Sequence, residues 1–238
     1  MVTAILLAAG SGHRMQGQVE DKILTRLNGK PAFYYSLQAF MQAGVVDEYL
    51  VVYRDEAQKA QLTEIIQQYG LQQLKINGVA GGRERQDSVI HALNVVSDKC
   101  EYVFIHDCAR PCVTSQSIKS LHQTVVRDKA ACLAHPVVDT IKRIPQANEI
   151  EKIELEDLER NRLWAMETPQ AFHFISILKA YQKLCQEKLS ITDDTAAAQL
   201  VGLKTTLVAN AVPNPKLTTP GDIAYIEHLL ASHSIPNT

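Results

Sequence analysis

A run of small residues near the N-terminus is the part of the sequence with the clearest chemical use. The apolar stretch Ala4-Ile5-Leu6-Leu7 leads directly into Ala8-Ala9-Gly10-Ser11-Gly12-His13-Arg14-Met15. Glycines let a backbone turn tightly and bring several N–H groups to one point, and an arginine adds a permanent charge with a planar fork of donors. The stretch therefore predicts a loop that binds a polyphosphate, although an ordinary strand-to-helix turn uses the same residue types.

Two common nucleotide-binding motifs do not fit this loop. Gly10 and Gly12 match the start of G-x-G-x-x-G, but Met15 occupies the position of the third glycine. No G-K-S or G-K-T follows, as a Walker A loop requires. The sequence therefore argues against a hydride-transfer dehydrogenase and against a P-loop nucleotidase.

Polar clusters also follow four later strands of the predicted sheet, at residues 81–88, 106–111, 138–140 and 214–220. Ligands of parallel sheets sit beyond the carboxyl ends of the strands, so we expect the five clusters to converge. Asp107 directly follows a buried apolar strand. It is the candidate magnesium ligand, because Mg²⁺ prefers oxygen ligands and bridges substrate phosphates. The alternative is an aspartate that pairs with Arg110 or caps a turn.

The elements that must position these clusters alternate along the chain. Apolar runs predict strands over residues 3–7, 48–53, 74–79, 102–106, 130–136 and 205–208. Helical spacing predicts helices over residues 31–43, 56–69, 86–96, 115–128, 174–186, about 193–201 and 220–232. This order predicts an α/β fold with a mostly parallel sheet and helices on both faces.

Residues 139–160 interrupt this alternation. They are highly charged, and their isoleucines show little periodicity. We expect a hairpin that leaves the main sheet, and we expect its apolar side chains to need a partner surface.

Composition narrows the class of protein. The 238 residues are 46% hydrophobic, which is enough for a sizeable core and fits one domain over 1–238. A net charge of −2 argues against a general nucleic-acid surface. We expect no membrane span and no secretory signal. Five cysteines without C-x-x-C spacing argue against a disulfide framework or a zinc site, so a reducing cytoplasm is the expected setting.

Seven motifs, taken together, resemble a known family. L-L-A-A-G-S-G-x-R-M, G-G-x-E-R-x-D-S-V, H-D-x-A-R-P, D-T-I-K, T-P-Q-x-F, I-T-D-D and K-L-T-T-P-x-D occur in that order, from about residue 3 to about residue 230. The set resembles the 2-C-methyl-D-erythritol 4-phosphate cytidylyltransferases of the non-mevalonate isoprenoid pathway. The resemblance implies a Rossmann-like nucleotidyltransferase fold, transfer of CMP from CTP to methylerythritol phosphate, a magnesium ion, and a homodimer formed through an extended arm.

The resemblance also implies a role for each matching residue. The residues that would bind CTP are Ala8, Ala9, Gly10, Ser11, Gly12, Gly82, Arg85 and Ser88. The catalytic residues would be Arg14, Lys22 and Arg160. Those that would contact the second substrate are Asp107, Arg110, Thr140, Thr168 and Lys216, with Asp107 also on magnesium. Arg160, Thr168 and Lys216 match positions that, in the family, reach the neighbouring subunit's site.

The sequence differs from the family pattern at one motif, and two alternative functions stay open. The family usually has proline-lysine-glutamine where this chain has Asp21-Lys22-Ile23. The Asp21 carboxylate could therefore reduce the electrostatic effect of Lys22 on a ligand, or form an ion pair with Lys22. A ribitol 5-phosphate cytidylyltransferase would share the fold and many motifs. The A-A-G of the first loop and the A-R-P after Asp107 favour methylerythritol phosphate. The second alternative is a non-catalytic nucleotide-binding module, which the presence of Arg14, Lys22, Asp107 and Arg160 opposes.

Overall fold

Apolar strands and the helices between them build a seven-stranded sheet. The computed structural model describes residues 1–10, 21–147 and 150–233. The first half of the chain forms β1 (Val2–Leu7), β2 (Arg26–Leu27), β3 (Lys30–Pro31), α1 (Ala32–Ala43), β4 (Glu48–Tyr53), α2 (Glu56–Gln68), β5 (Ile76–Ala80), α3 (Arg85–Leu93) and β6 (Tyr102–Asp107). The second half forms α4 (Ser115–Asp128), β7 (Ala130–Pro136), β8 (Lys142–Arg143), β9 (Glu156–Asp157), a short 3-10 helix (Arg160–Arg162), β10 (Trp164–His173), α5 (Phe174–Glu187), α6 (Asp194–Gln199), β11 (Thr206–Ala209) and α7 (Asp222–His233).

The sheet is mostly parallel, as predicted. Its strand order is β11-β7-β10-β6-β1-β4-β5. Only β10 runs antiparallel to its neighbours β6 and β7, and the other four pairings are parallel. The carboxyl ends of β1, β4, β5 and β6 therefore meet at one edge of the sheet, where a ligand can reach all four.

Helices cover both faces of the sheet, and each face has its own apolar cluster. Successive residues of a strand point to opposite faces, and β1 shows this directly. Ala4 and Leu6 pack with Phe40 of α1 on one face, whereas Ile5 packs with Val89 of α3 on the other. All five side chains are fully buried. Burial on both faces explains why β1 is a continuous apolar run in the sequence.

The long central strand β10 is absent from the sequence prediction. Glu167, Thr168 and Gln170 in its middle are all buried, with at most 6% of their surface exposed. Polar residues at buried positions remove the apolar signal on which strand prediction depends. Their burial is possible because each forms hydrogen bonds, for example Thr168 with the backbone N–H of Asp107 at 3.0 Å.

The predicted hairpin excursion is confirmed. Strands β8 and β9 pair with each other in a separate antiparallel sheet, and the ion pairs Lys142–Asp157 and Arg143–Glu156 link them. Apolar side chains on and beside this arm are exposed, namely Val138, Ile141, Ile150 and Leu155. Among the described residues, no helix is long and apolar enough to cross a membrane.

Candidate active site

A cleft of about 600 Å³ lies at the carboxyl edge of the sheet. The predicted site residues that line it are Ala9, Gly10, Lys22, Gly82, Arg85, Ser88, Asp107 and Lys216. They come from four of the five polar clusters. Parallel strand order brings three of these together, and the fourth, at residues 214–220, arrives because the segment after β11 folds back. The cluster at residues 138–140 does not line the cleft. Ala8 is buried directly behind it, and Ser11, Gly12 and Arg14 lie outside the described residues.

At one wall of the cleft, Gly81 and Gly82 leave the backbone without side chains. A Cβ atom on Gly81 would lie 2.7 Å from the Cβ of Ala9, and one on Gly82 would lie 2.2 Å from the Cβ of Asp87. Both distances are too short for carbon atoms, so these positions need glycine. The Gly82 N–H donates to the Ser88 hydroxyl at 3.0 Å, which fixes the loop on the first turn of α3. A flat group such as a base can approach this wall closely.

Lys22 lies next to Gly10, in the loop that is predicted to bind a polyphosphate. A Cβ on Gly10 would be 3.5 Å from the Lys22 Nζ, so the ammonium is next to that backbone. The neighbouring Asp21 carboxylate contacts Arg54 at 3.2 Å and Gln58 at 2.6 Å, both beyond the end of β4. The arrangement places a cation beside a backbone turn, which suits a bound phosphate chain.

Asp107 lies between two cations on the floor of the cleft. Its Oδ1 accepts a hydrogen bond from Arg85 Nε at 3.0 Å, and its Oδ2 accepts one from Lys216 Nζ at 2.6 Å. Burial alone would raise the pKa of Asp107, but the charges of Arg85 and Lys216 outweigh it and hold this pKa well below its usual range. Asp107 is therefore a permanent carboxylate in the cleft.

Arg85 also forms an ion pair with a second carboxylate, that of Asp194. Its two terminal nitrogens donate to both oxygens of Asp194 at 2.9 and 2.8 Å, and the Tyr181 hydroxyl donates to the same carboxylate at 2.6 Å. Asp194 and Tyr181 are completely buried. A bidentate pair of this kind fixes the plane of the guanidinium, so α5 and α6 determine where Arg85 meets Asp107.

His106, the residue before Asp107, is fully buried and faces Ser36 at 3.3 Å and Thr168 at 3.2 Å. Burial lowers the pKa of His106 to about 3. It is therefore a neutral structural side chain.

Thr168 and Lys216 both contact Asp107 of their own chain, and their expected role toward a neighbouring subunit's site stays a prediction. Thr168 accepts from the backbone N–H of Asp107 in its own chain, because β10 pairs directly with β6. Lys216 reaches the Asp107 side chain because the segment after β11 folds back, with the Leu217 N–H donating to the Ala109 carbonyl at 2.7 Å.

Four of the described residues that were predicted to be catalytic or to contact substrate do not line the cleft: Thr168, described above, and Arg110, Arg160 and Thr140. The Arg110 guanidinium donates to the carbonyls of Asn214, at 2.7 Å, and Met166, at 3.4 Å. Arg160 lies at the exposed base of the arm and donates to the carbonyl of Val138 at 3.0 Å. Thr140 is exposed on the same arm. Their roles toward substrate stay predictions.

The sequence analysis missed two residues of this region. Arg54 lines the cleft beyond β4, but a lone arginine after a strand carries no motif. Asp194 belongs to the I-T-D-D motif, and two aspartates before an alanine-rich run do mark a helix start. Asp193 is that cap, accepting from the Ala196 N–H at 3.0 Å, while Asp194 turns inward to Arg85. Spacing alone does not tell the two apart.

The donor set limits what kind of metal site the cleft can form. Within the described part of the chain, no group of three His, Cys, Asp or Glu side chains could hold a metal ion. Asp107 offers one carboxylate, and each of its oxygens retains a lone pair beyond its ion pair. Magnesium is commonly bound by one or two carboxylates together with substrate phosphates and water. The residues therefore fit an ion that arrives with a nucleotide.

A mostly parallel α/β sheet with Lys22 beside the Gly10 backbone, a wall of glycine backbone and a Lys216–Asp107 pair at its carboxyl edge fits a nucleotidyltransferase. Residues 2–232 match the model of the family IspD: 2-C-methyl-D-erythritol 4-phosphate cytidylyltransferase, and the chain belongs to this family.

Relatives and solved structures agree with this family. The chain is 36% identical to the 2-C-methyl-D-erythritol 4-phosphate cytidylyltransferase of Clostridium beijerinckii, covering 97% of this chain and 98% of the relative. It is 39% identical to the enzyme of the same name from Lachnospira eligens, covering 94% and 96% of the two chains. The crystal structure of 4-diphosphocytidyl-2C-methyl-D-erythritol synthase from Anaerococcus prevotii superposes with a TM-score of 0.83 at 24% identity, over 97% of this chain and 96% of that one. This last match supports the fold.

Proposed function

We propose that this protein transfers CMP from CTP to 2-C-methyl-D-erythritol 4-phosphate, in the cleft described above. A phosphate oxygen of methylerythritol phosphate attacks the α-phosphorus of CTP, and a new P–O bond forms. The bond from the α-phosphorus to the oxygen bridging the β-phosphorus breaks, and its electron pair leaves with pyrophosphate. The proposal rests on one observation: Lys22, Asp107 and Lys216 line the same cleft, next to the backbone of glycine residues.

The chain contributes position and charge to this reaction. Negative charge grows on the α-phosphate oxygens and on the leaving pyrophosphate, and fixed cations stabilise it without reorganising. Lys22, whose ammonium lies beside Gly10, would do this. The backbone at Gly82, fixed by Ser88, would orient the cytosine, and Lys216 with Asp107 would orient the attacking substrate.

Magnesium is part of this proposal. When bound, the ion would neutralise part of the negative charge of the substrate phosphates. Asp107 would be its protein ligand, because it is a permanently ionised carboxylate on the cleft floor. Arg85 and Lys216 would keep that carboxylate in place.

The whole chain, 1–238, would act as one domain that functions as a homodimer, with residues 139–160 as the dimerisation arm. Exposed Ile141, Ile150 and Leu155 support this, because apolar side chains on a thin hairpin are stabilised by a partner surface. Arg160 and Thr140 would then reach the partner's cleft from the arm. The substrates are small molecules, with no role for nucleic acid or membrane. The five free cysteines favour a reducing cytoplasm.

Pyrophosphate release tests the reaction. Purified protein with CTP, magnesium and methylerythritol phosphate should release one pyrophosphate for each phosphorylated polyol consumed. Omission of the polyol phosphate is the control, and it should stop the release. Binding of CTP without any pyrophosphate would instead indicate the non-catalytic nucleotide-binding module.

A further inference from the structure

We infer that Gln58 and Asp21 form a polar clamp that positions Lys22 for the reaction. The inference rests on the proposed function, in which Lys22 stabilises charge on the phosphates. Neither clamp residue is itself part of the cleft lining, so both would act through Lys22 and the residues around it. They are positioning residues for this reaction.

The Gln58 side chain joins three separate parts of the chain with one amide. It is completely buried on the first turn of α2. Its Nε2 donates to the Ala8 carbonyl at 3.0 Å and to Asp21 Oδ2 at 2.6 Å, while its Oε1 accepts from the Arg54 N–H at 2.7 Å. The amide thereby ties the end of β1 to the residue before Lys22, on either side of the segment between Gly10 and Asp21.

Asp21 extends the clamp to the backbone that follows Lys22. Its Oδ1 accepts from the Ile23 N–H at 3.0 Å, and its carbonyl accepts from the N–H groups of Leu24 and Thr25 at 3.1 Å. A side-chain oxygen that bonds the backbone two residues on is an Asx turn, and it fixes local geometry. Lys22 is thus held in a turn whose first residue is anchored to α2.

The clamp is more than a packing contact. Asp21 is only 6% exposed, and a buried carboxylate is unfavourable unless it is paired and hydrogen-bonded. Arg54 supplies a charge at 3.2 Å, and Gln58 supplies the shortest hydrogen bond. Where the family usually has a proline, whose ring fixes the backbone, this chain fixes it with these polar bonds.

The variant Gln58→Glu distinguishes the effect of the clamp's hydrogen bonds from the effect of filling a buried position. The new side chain has the same size and keeps an oxygen for the Arg54 N–H, but it faces Asp21 and the Ala8 carbonyl with an acceptor. We expect kcat to fall at least about 10-fold, because small displacements of a charge at a reacting centre have large effects on rate. KM for CTP should change less than kcat, since the Lys22 interaction strengthens in the transition state.

Gln61→Glu is the matched control. Gln61 is exposed on the same helix and lines the same surface cavity as the clamp, so the control introduces the same charge nearby without removing a hydrogen bond of the clamp. Its kcat should stay within about two-fold of the unmodified protein, as for most surface substitutions. The double variant Gln58→Glu with Asp21→Asn restores a donor–acceptor pair with the roles exchanged, and it should recover several-fold of the lost kcat.

The outcomes separate the inference from the proposed function. No pyrophosphate release by the unmodified protein would overturn the proposed function. An active unmodified protein, with Gln58→Glu as active as Gln61→Glu, would overturn the clamp alone. So would a loss of kcat that the double variant does not recover. If Gln58→Glu does not fold, Asp21→Ala decides, because it removes the other half of the clamp outside the main sheet. A kcat loss of at least about 10-fold supports the clamp, and an unchanged kcat contradicts it.

Discussion

Lys22 is the single residue whose charge acts most directly on the proposed reaction. Because that charge opposes the negative charge that grows during attack, Lys22→Ala should lower kcat on the order of 10²-fold or more. Steady-state pyrophosphate release measures this. Lys59→Ala, on the exposed face of α2, is the control and should keep its activity. A folded Lys22→Ala protein with unchanged kcat would show that this lysine does not act in the site.

The burial of His106 predicts how the free energy of unfolding depends on pH. Its pKa is about 3 in the folded protein and about 6.5 in an unfolded chain. Between these values the unfolded state binds a proton that the native state does not, so stability falls as pH decreases from about 6.5 toward 3. His106→Gln should remove this contribution, which amounts to on the order of 2 kcal/mol between pH 7 and pH 4.5.

Urea unfolding at the two pH values measures the effect of His106→Gln. The comparison uses the loss of unfolding free energy on acidification, since the variant can differ from the unmodified protein at pH 7 for packing reasons. His228→Gln, on an exposed position of α7, should keep the original loss. An equal loss in His106→Gln and in the unmodified protein would contradict burial of a neutral histidine.

At the scale of elements, α5 and α6 hold the site through Asp194. Asp194→Asn leaves the buried end of Arg85 without its charged partner, and breaking one side of a buried ion pair is destabilising by about 3 kcal/mol. Urea unfolding should show this loss, and kcat should fall with it because Arg85 also holds Asp107. Asp98→Asn, at an exposed position, is the control and should leave the unfolding free energy nearly unchanged. Equal stability of the two variants would contradict a supporting role for Asp194.

The sequence predicts elements better than it predicts contacts between them. Strands such as β1 are evident because burial on both faces demands a continuous apolar run. β10 is not evident, because Glu167 and Gln170 place polar groups in the core and hide the pattern. Strand order then explains why the clusters after β1, β5 and β6 meet at one edge. The partners of Asp107 are beyond sequence reasoning, since Lys216 is 109 residues away in the chain.

At the scale of the whole molecule, the arm predicts a site shared between subunits. If Arg160 reaches the partner's cleft, then mixing inactive Lys22→Ala and Arg160→Ala proteins places both lesions in one of the two sites and leaves the other intact. Activity should reappear on subunit exchange, up to about a quarter of the unmodified level for random pairing of equal amounts. Demonstrated exchange without recovery would mean that Arg160 acts within its own subunit or not at all.

The substrate is the central claim, and a competition between two polyol phosphates tests it most directly. The protein is given CTP, magnesium and equal amounts of methylerythritol 4-phosphate and ribitol 5-phosphate, and mass spectrometry measures both cytidylyl products at early times. The ratio of products reports the ratio of kcat/KM, and therefore which transition state the cleft favours. We predict that 4-diphosphocytidyl-2-C-methyl-D-erythritol predominates. A predominance of the ribitol product would contradict the assignment.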